Sequence, residues 1–424
     1  MPDPVRRKLL LVGWDGADWR LIKPLMNNGE LPNLERLVET GAMGNLASTR
    51  PLLSPLIWNS IATGMFPDKH GILGFTEIDE ETGQVRPATS VSRKVKAIWN
   101  MLSQEDRDTH VVNWFSGHPA EPINGVCVSE LYSRSATPIS PTPRPVPPGV
   151  IHPADLHDTL ADLRVFPGDI DSQTVKLFVP RLGEVDQDND QRLESIARMT
   201  AECLTVHSAA TWIMENRPWD FLGVYYGGID HFCHGFIRYH PPRMERVDEK
   251  DFELYKDVVN SAYRLHDLML GRLIELAGED ATIILCSDHG CWVGDLRPKQ
   301  YAPVPGAPAD DHRPIGVIVL KGPGIRRDEL IHGASVLDIT PTILSLFDLP
   351  VGRDMDGRPL LDAFEDGAAG VKTIPSWEEV EGEAGMHPPD THVAASDSRE
   401  LINQFVALGY LERPQRDEQW TELT

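Results

Sequence analysis

The chain predicts an α/β fold, a mostly parallel sheet flanked by helices on both faces. Three observations lead there. Short apolar runs recur along the chain, helical patterns separate them, and the runs stop at carboxylates or at glycine turns. The first run, residues 8–13 (KLLLVG), stops at Asp15-Gly16 and reads as a buried strand with a carboxylate at its carboxyl end. Residues 221–226 (FLGVYY) lead into Gly227-Gly228-Ile229-Asp230, and residues 281–287 (ATIILCS) into Asp288-His289-Gly290. Residues 315–320 (IGVIVL) end at Lys321-Gly322-Pro323-Gly324. Helical patterns cover about 196–215, 251–277 and 336–348. In such sheets ligands bind beyond the carboxyl ends of the strands, where three of these four runs place Asp or Asp-His.

Residues 76–190 break the alternation. They hold a proline-rich segment at 137–149, an acidic run at 186–190 and one plausible strand at 110–115. This stretch reads as an inserted cap over the sheet's active edge, a substrate region without a core of its own. Residues 1–75 and 191–365 then form the catalytic core. From 366 to 424 an acidic, proline-containing C-terminal extension follows, with a last helix expected at 399–411. No internal repeat is apparent.

Acidic residues outnumber basic ones, 64 to 40, for a formal charge of −24, which repels nucleic acid polymers and anionic lipid. A small phosphorylated substrate stays compatible, because bound cations invert the local field. Cys127, Cys203, Cys233, Cys286 and Cys291 are irregularly spaced and contain no CxxC pair, so reduced thiols are expected. Arg6-Arg7-Lys8 imitates the start of an export signal, but the apolar run behind it is cut off by Asp15. An export signal needs roughly 7–15 apolar residues. No run of about 18 apolar residues exists, so no membrane span is expected and a cytoplasmic location follows as the default.

Asp230-x-x-x-His234 sets a carboxylate and an imidazole one helical turn apart, where both can face one ion. Asp288-His289 puts the same ligand types on adjacent residues, whose side chains are expected to point apart and suit two neighbouring ions. Ser54-Pro55 reads as a helix N-cap followed by proline at the first helical position. The same position lies in positive potential suited to a phosphoryl group, and a metal would activate the serine as a nucleophile. A capping serine and a nucleophile therefore both remain open on local grounds.

Taken together, several segments resemble the alkaline phosphatase superfamily. They are Gly13-Trp14-Asp15-Gly16, Ser54 with Thr63-Gly64 and His70-Gly71-Ile72, Asp230-x-x-x-His234, Ser287-Asp288-His289-Gly290 and a late His312. The likeness is closest to the type I phosphodiesterase/nucleotide pyrophosphatase branch and covers about 8–75 and 220–365. The resemblance implies an alkaline-phosphatase-like core and two divalent ions about 4 Å apart, zinc by ligand type with manganese as the other candidate. One ion would be held by Asp230, His234 and His312, the other by Asp15, Asp288, His289 and the Ser54 oxygen. It further implies in-line attack by Ser54 on a phosphate ester, through a phosphoseryl intermediate. His332 competes with His312 but lies past the strand. His231, His240 and His266 match no ligand position, His70 is expected to brace a turn, and Asp338 to start a helix.

The chain departs from the family's pattern at several places. Ser54 stands where nucleotide pyrophosphatases have threonine, and Ile57 where they have a phosphate-contacting asparagine. Pro55 lacks the backbone N–H that helps to hold phosphate, so oxyanion contacts fall to the metals, the Leu56 amide or residues outside the motif. Leu56 and Trp58 stand at positions that argue against a sulfatase. Alkaline phosphatases grip a monoester with an arginine, for which Arg238 and Arg243 are candidates. Trp58, Trp114 and Phe115 suggest either an aromatic leaving-group site or core. Two other readings remain: a metal-dependent phosphomutase of the phosphoglycerate mutase type, and a non-catalytic relative.

Overall fold

Leu9–Trp14, Phe221–Tyr226 and Thr282–Cys286 are strands in which every residue is buried. A strand covered on both faces needs continuous apolar sequence, which is why these runs show no alternation. They lie at the centre of one nine-stranded sheet. A computed structural model describes residues 7–79, 83–133, 145–299, 306–365, 367, 370–388, 391–407 and 409–412. The N-terminal Arg6, residues 137–144 of the proline-rich segment and the last part of the C-terminal extension lie outside the described residues.

In chain order the strands are β1 (Leu9–Trp14), β2 (Ala42–Ala47), β3 (Thr109–Val112), β4 (Cys127–Val128), β5 (Ile151–His152), β6 (Phe221–Tyr226), β7 (Thr282–Cys286), β8 (Ile315–Lys321) and β9 (Glu329–Ser335). Side by side they run β9-β2-β8-β7-β1-β6-β3-β4-β5. β1 pairs in parallel with both β6 and β7, so the three carboxyl ends that precede Asp15, Asp230 and Asp288 meet at one edge. β8 is antiparallel to both its neighbours, β7 and β2, and the edge strand β5 is antiparallel to β4. Because β8 is reversed, its first residue, not its last, stands at the edge where β1, β6 and β7 end.

The stretch expected as an inserted cap supplies three strands to this same sheet. β3 continues it in parallel beyond β6, and β4 and β5 follow. The expected strand at 110–115 is thus β3. These strands are two to four residues long, too short to carry a readable period.

The helices used below are α1 (Ser54–Thr63), α2 (Arg192–Asn216), α3 (Gly228–Phe236), α4 (Val258–Ala277) and α5 (Ala395–Ala407). α4 packs with α2 and α3, whereas α1 packs with the helices Ile98–Gln104 and Ile339–Leu346. The expected helix at 251–277 is two, Glu249–Tyr255 and α4, and the one at 336–348 narrows to Ile339–Leu346 behind a short 3-10 turn. All five cysteines are buried and free. Among the described residues no helix is long and apolar enough to cross a membrane.

A buried ion pair lies within the 76–190 stretch. Arg93 Nη2 donates to both Glu121 carboxylate oxygens at 2.7 Å, and Trp99 Nε1 donates to the same carboxylate at 2.7 Å. The two charged side chains are 1% and 3% exposed, so removing one strands the other in a medium that cannot solvate it. Glu121→Ala is therefore expected to lower the unfolding free energy by about 3–5 kcal/mol in a urea titration. A loss below about 1 kcal/mol would mean that water reaches the guanidinium.

Candidate active site

β1 delivers Asp15 to the sheet edge, and the chain then turns at Gly16 with φ +71. A Cβ on Gly16 would stand 3.1–3.2 Å from Asp230 atoms, so glycine serves both the turn and the close approach of the two loops. Asp15 is nearly inaccessible, and its Oδ2 accepts hydrogen bonds from Tyr225 Oη at 2.6 Å and Trp58 Nε1 at 3.2 Å. Gly13 lets that indole in, since a Cβ there would lie 2.6 Å from the Trp58 ring. Trp58 and Trp114 pack edge to face with centroids 5.3 Å apart, and both are fully buried. Of the two readings for these tryptophans, they are core.

The first candidate metal set is Asp230, His234 and His312. Asp230 and His234 sit one turn apart on α3 with Oδ2 and Nε2 at 3.1 Å. His312 precedes β8, and the reversal of that strand brings it in. Its Nε2 lies 3.1 Å from His234 Nε2 and 3.5 Å from Asp230 Oδ1. A carbonyl can only accept, so His312 Nδ1, 3.0 Å from Leu52 O, carries the ring proton and leaves the Nε2 lone pair facing the set. His234 turns its other nitrogen to the Asp311 carboxylate at 3.6 Å.

The second set adjoins the first. His289 Nδ1 donates to Gly290 O at 3.1 Å, which again leaves Nε2 bare, 3.3 Å from Asp15 Oδ1 and 3.5 Å from Asp288 Oδ2. Asp288 and His289 thus converge where adjacent residues were expected to diverge. The alternation of a strand ends at Cys286, and the chain bends at Asp288. Asp230 also reaches Asp15 and His289, so one carboxylate is common to both sets. Asp15 Oδ1, Asp288 Oδ2 and His289 Nε2 are buried without a hydrogen-bond partner among the described residues. Orphaned acceptors of this kind are costly unless a cation takes them, and a carboxylate-imidazole donor set fits divalent ions.

The electrostatics agree with that fit. Burial, reinforced by the Asp230 charge, pushes the Asp15 carboxyl up to about 6. Burial and the Asp15 charge raise Asp288 well above the usual carboxylate range. Burial would raise Asp230 as well, but His234 and His312 outweigh it and hold that carboxyl well below its ordinary value. Burial and the neighbouring His312 lower His289 to about 3, which keeps it neutral and able to ligate. Three carboxylates crowded out of water call for positive charge.

Ser54 is the first residue of α1, and it is not the cap. The carbonyl that accepts the first helical bonds, from Leu56 N at 3.1 Å and Ile57 N at 3.3 Å, belongs to Leu53. No side chain caps this helix, so the capping role open to Ser54 in the sequence is not used. The same bonds engage the Leu56 amide and remove it from the expected oxyanion donors. Ser54 is 4% exposed. It is bracketed by Leu52, whose carbonyl holds His312, and by Trp58 one turn on, whose indole holds Asp15.

The sequence profile of the family described as type I phosphodiesterase/nucleotide pyrophosphatase matches residues 9–295. The chain belongs to that family. Over 100 residues it is 34% identical to the 2,3-bisphosphoglycerate-independent phosphoglycerate mutase of Cereibacter sphaeroides, a match covering 23% of this chain and 18% of the mutase. The chain thus spans about a fifth of the length of the curated relatives it matches. A putative sulfatase from Bacteroides thetaiotaomicron shares the fold, with a TM-score of 0.53 and 11% identity over 87% of this chain and 76% of that one. Phosphonoacetate hydrolase from Sinorhizobium meliloti aligns with a TM-score of 0.44 and 20% identity, over 70% of this chain and 58% of that one.

Within this family member the remaining histidines separate as follows. His70 braces a turn, with Nε2 3.1 Å from Ser60 Oγ and Nδ1 accepting from Ile72 N at 3.2 Å. His266 is buried against Trp14 and Tyr226, His240 pairs with Asn260, and His332 is exposed on β9. His231 lies 3.8 Å from the Glu202 carboxylate, away from both sets. Asp338 receives the Ser335 and Arg358 amides at the start of its helix. Arg243 is spent on the Val247 carbonyl, whereas Arg238 lines a cavity of about 460 Å³ beside His234 and Asp311, with Arg192, Arg198 and His231. Arg192 is tied to Asp190 and Asp251 and Arg198 to Glu202, whereas Arg238 lies over the Tyr239 ring.

Tyr225, Asp311 and Tyr410 were not anticipated from the sequence. Tyr225 is the penultimate residue of β6, and Asp311 stands beside the chosen His312. Both neighbourhoods offered a signal. Tyr410 offered none: it arrives from the C-terminal extension, and its Oη lies 3.2 Å from His234 Nε2 and 3.3 Å from His312 Nε2.

Proposed function

We propose that this protein hydrolyses a small phosphate ester at a centre of two divalent ions, with Ser54 as nucleophile. What supports the reading is the convergence of His234, His289 and His312 Nε2 on the Asp15, Asp230 and Asp288 carboxylates, with the Ser54 segment hung between the two sets. One ion falls to Asp230, His234 and His312. The other falls to Asp15, Asp288, His289 and the Ser54 oxygen, with Asp230 alongside. The donor set favours zinc, with manganese as the second candidate.

When bound, the ions supply Lewis acidity, lowering the pKa of the serine hydroxyl and neutralising charge on the phosphoryl oxygens. Ser54 attacks phosphorus in line and the alcohol leaves with a proton. Water then attacks the phosphoseryl group, releasing the phosphate and restoring the hydroxyl. Tyr225 and Trp58 hold Asp15 by one oxygen and so orient the other. The carbonyls of Leu52 and Gly290 fix the tautomers of His312 and His289. Arg238 in the neighbouring cavity provides for a second anionic or polar part of the substrate. The rest of the 76–190 stretch is assigned to substrate selection, and the cytoplasm to its location.

The local identity to a phosphoglycerate mutase favours one other reading, transfer of the phosphoryl group back to the substrate. A panel of aryl monoesters, aryl diesters, phosphonates, nucleoside pyrophosphates and 3-phosphoglycerate, under zinc and under manganese, separates the two. Metal-dependent release of alcohol and phosphate in water is the expected result. Isomerisation of a phosphoglycerate without net phosphate release would replace the hydrolase reading by the mutase one.

A further inference from the structure

The C-terminal segment reaches the first metal set through a well-packed path. α5 is fastened by a buried pair, Asp397 Oδ2 to His118 Nε2 at 3.2 Å, and Leu401 and Phe405 are buried beneath it. Phe405 packs on Phe75 at a centroid distance of 4.9 Å. Past the helix the chain reverses at Gly409, whose φ of +81 suits glycine, and Tyr410 N donates to Phe405 O at 2.9 Å. The Tyr410 ring stacks on Phe75 at 4.3 Å, and its hydroxyl is aimed between His234 and His312.

Five separations within this group fall between 3.1 and 3.5 Å, with Asp230 meeting His234 through Oδ2 and His312 through Oδ1. Asp230 to His234 is 3.1 Å, Asp230 to His312 3.5 Å, His234 to His312 3.1 Å, and Tyr410 Oη to the two imidazoles 3.2 and 3.3 Å. Four ligands placed tetrahedrally at about 2.0 Å from a zinc ion stand about 3.3 Å from one another. A tyrosine that merely packed at the rim would need one hydrogen-bond partner. Tyr410 has two, both of them the nitrogens already turned towards Asp230.

We propose that Tyr410 is the fourth protein ligand of the ion held by Asp230, His234 and His312, so that the C-terminal segment both completes and closes that site. The proposal rests on the two-ion reading above. On ligation the phenol proton passes to solvent. In this conformation Tyr410 would occupy the coordination position that a catalytic site keeps for water or substrate, and an entering phosphate oxygen would take its place as the phenolate regains a proton from solvent.

The test uses the full-length chain stripped of metal and titrated with zinc against a competing chelator, as wild type, Tyr410→Phe and His312→Ala. Phenylalanine keeps the stacking on Phe75, and an unchanged melting temperature certifies the fold. Tyr410→Phe is expected to weaken one zinc-binding step by roughly tenfold or more, as His312→Ala does. Ferric iron added to wild type should give the visible charge-transfer absorption of a phenolate–iron bond, lost in Tyr410→Phe. If His312→Ala weakens binding while Tyr410→Phe binds zinc like wild type and no such band appears, Tyr410 is not a ligand and the two-ion reading stands. If wild type binds no zinc, both fall.

Discussion

Ser54→Ala is expected to lower the turnover of an aryl phosphodiester by at least about 10³-fold, since removing a nucleophile abolishes the covalent route and leaves only what binding and charge provide. The residue suits that role because nothing in its own helix claims it. Leu53 takes the capping position, Pro55 has no amide to offer, and Leu56 N is bonded back to Leu53. The serine is buried, at the amino end of α1, between the segments that hold His312 and Asp15. Its loss removes one oxygen ligand but leaves the carboxylates and imidazoles of both sets in place, so about two zinc ions per chain are still expected to bind. Turnover within tenfold of wild type would mean that water attacks directly and that Ser54 is only a neighbour.

Asp230→Asn is expected to be the more damaging change to the centre itself. Asp230 belongs to both candidate sets, and the amide keeps the shape while removing the charge. Two ions close together need carboxylate charge between them, and the remaining carboxylates, Asp15 and Asp288, both lie on one side. Metal analysis of protein purified without chelator should find about two ions per chain in wild type and less than half that in Asp230→Asn. Turnover should fall by about 10³-fold or more alongside it. A variant with full metal content would remove Asp230 from the ligands.

The parts of the site that local rules govern were readable in advance. Asp15, Asp230 and Asp288 follow buried parallel strands, and such strands must be continuous apolar runs that end where the sheet ends. Asp230 and His234 share a face because they lie one turn apart on a helix. Period-based reasoning went wrong where the period stops. Asp288 and His289 were expected to diverge, as in a strand, but they sit just beyond β7, where a bend turns both inward. Pro55 left a capping role open to Ser54 beside the nucleophile one, while the hydrogen bonds assign the cap to Leu53.

Sequence alone therefore set the fold class, the family and the carboxylates and imidazoles that gather at the strand ends, because burial on both strand faces and one-turn spacing leave direct traces in residue order. Contacts between distant segments leave no such trace, and these the folded chain decided. His312 precedes its strand yet reaches the centre, because β8 runs against its neighbours and brings its amino end to their carboxyl ends. β3, β4 and β5 join the sheet although their composition suggested a cap, since pairing satisfies backbone groups whatever the side chains are. Tyr410 meets His234 across 176 residues through the packing of α5 and one turn at Gly409. No periodicity marks that tyrosine, because its position depends on what Phe75 and Phe405 bury and not on its neighbours in the chain.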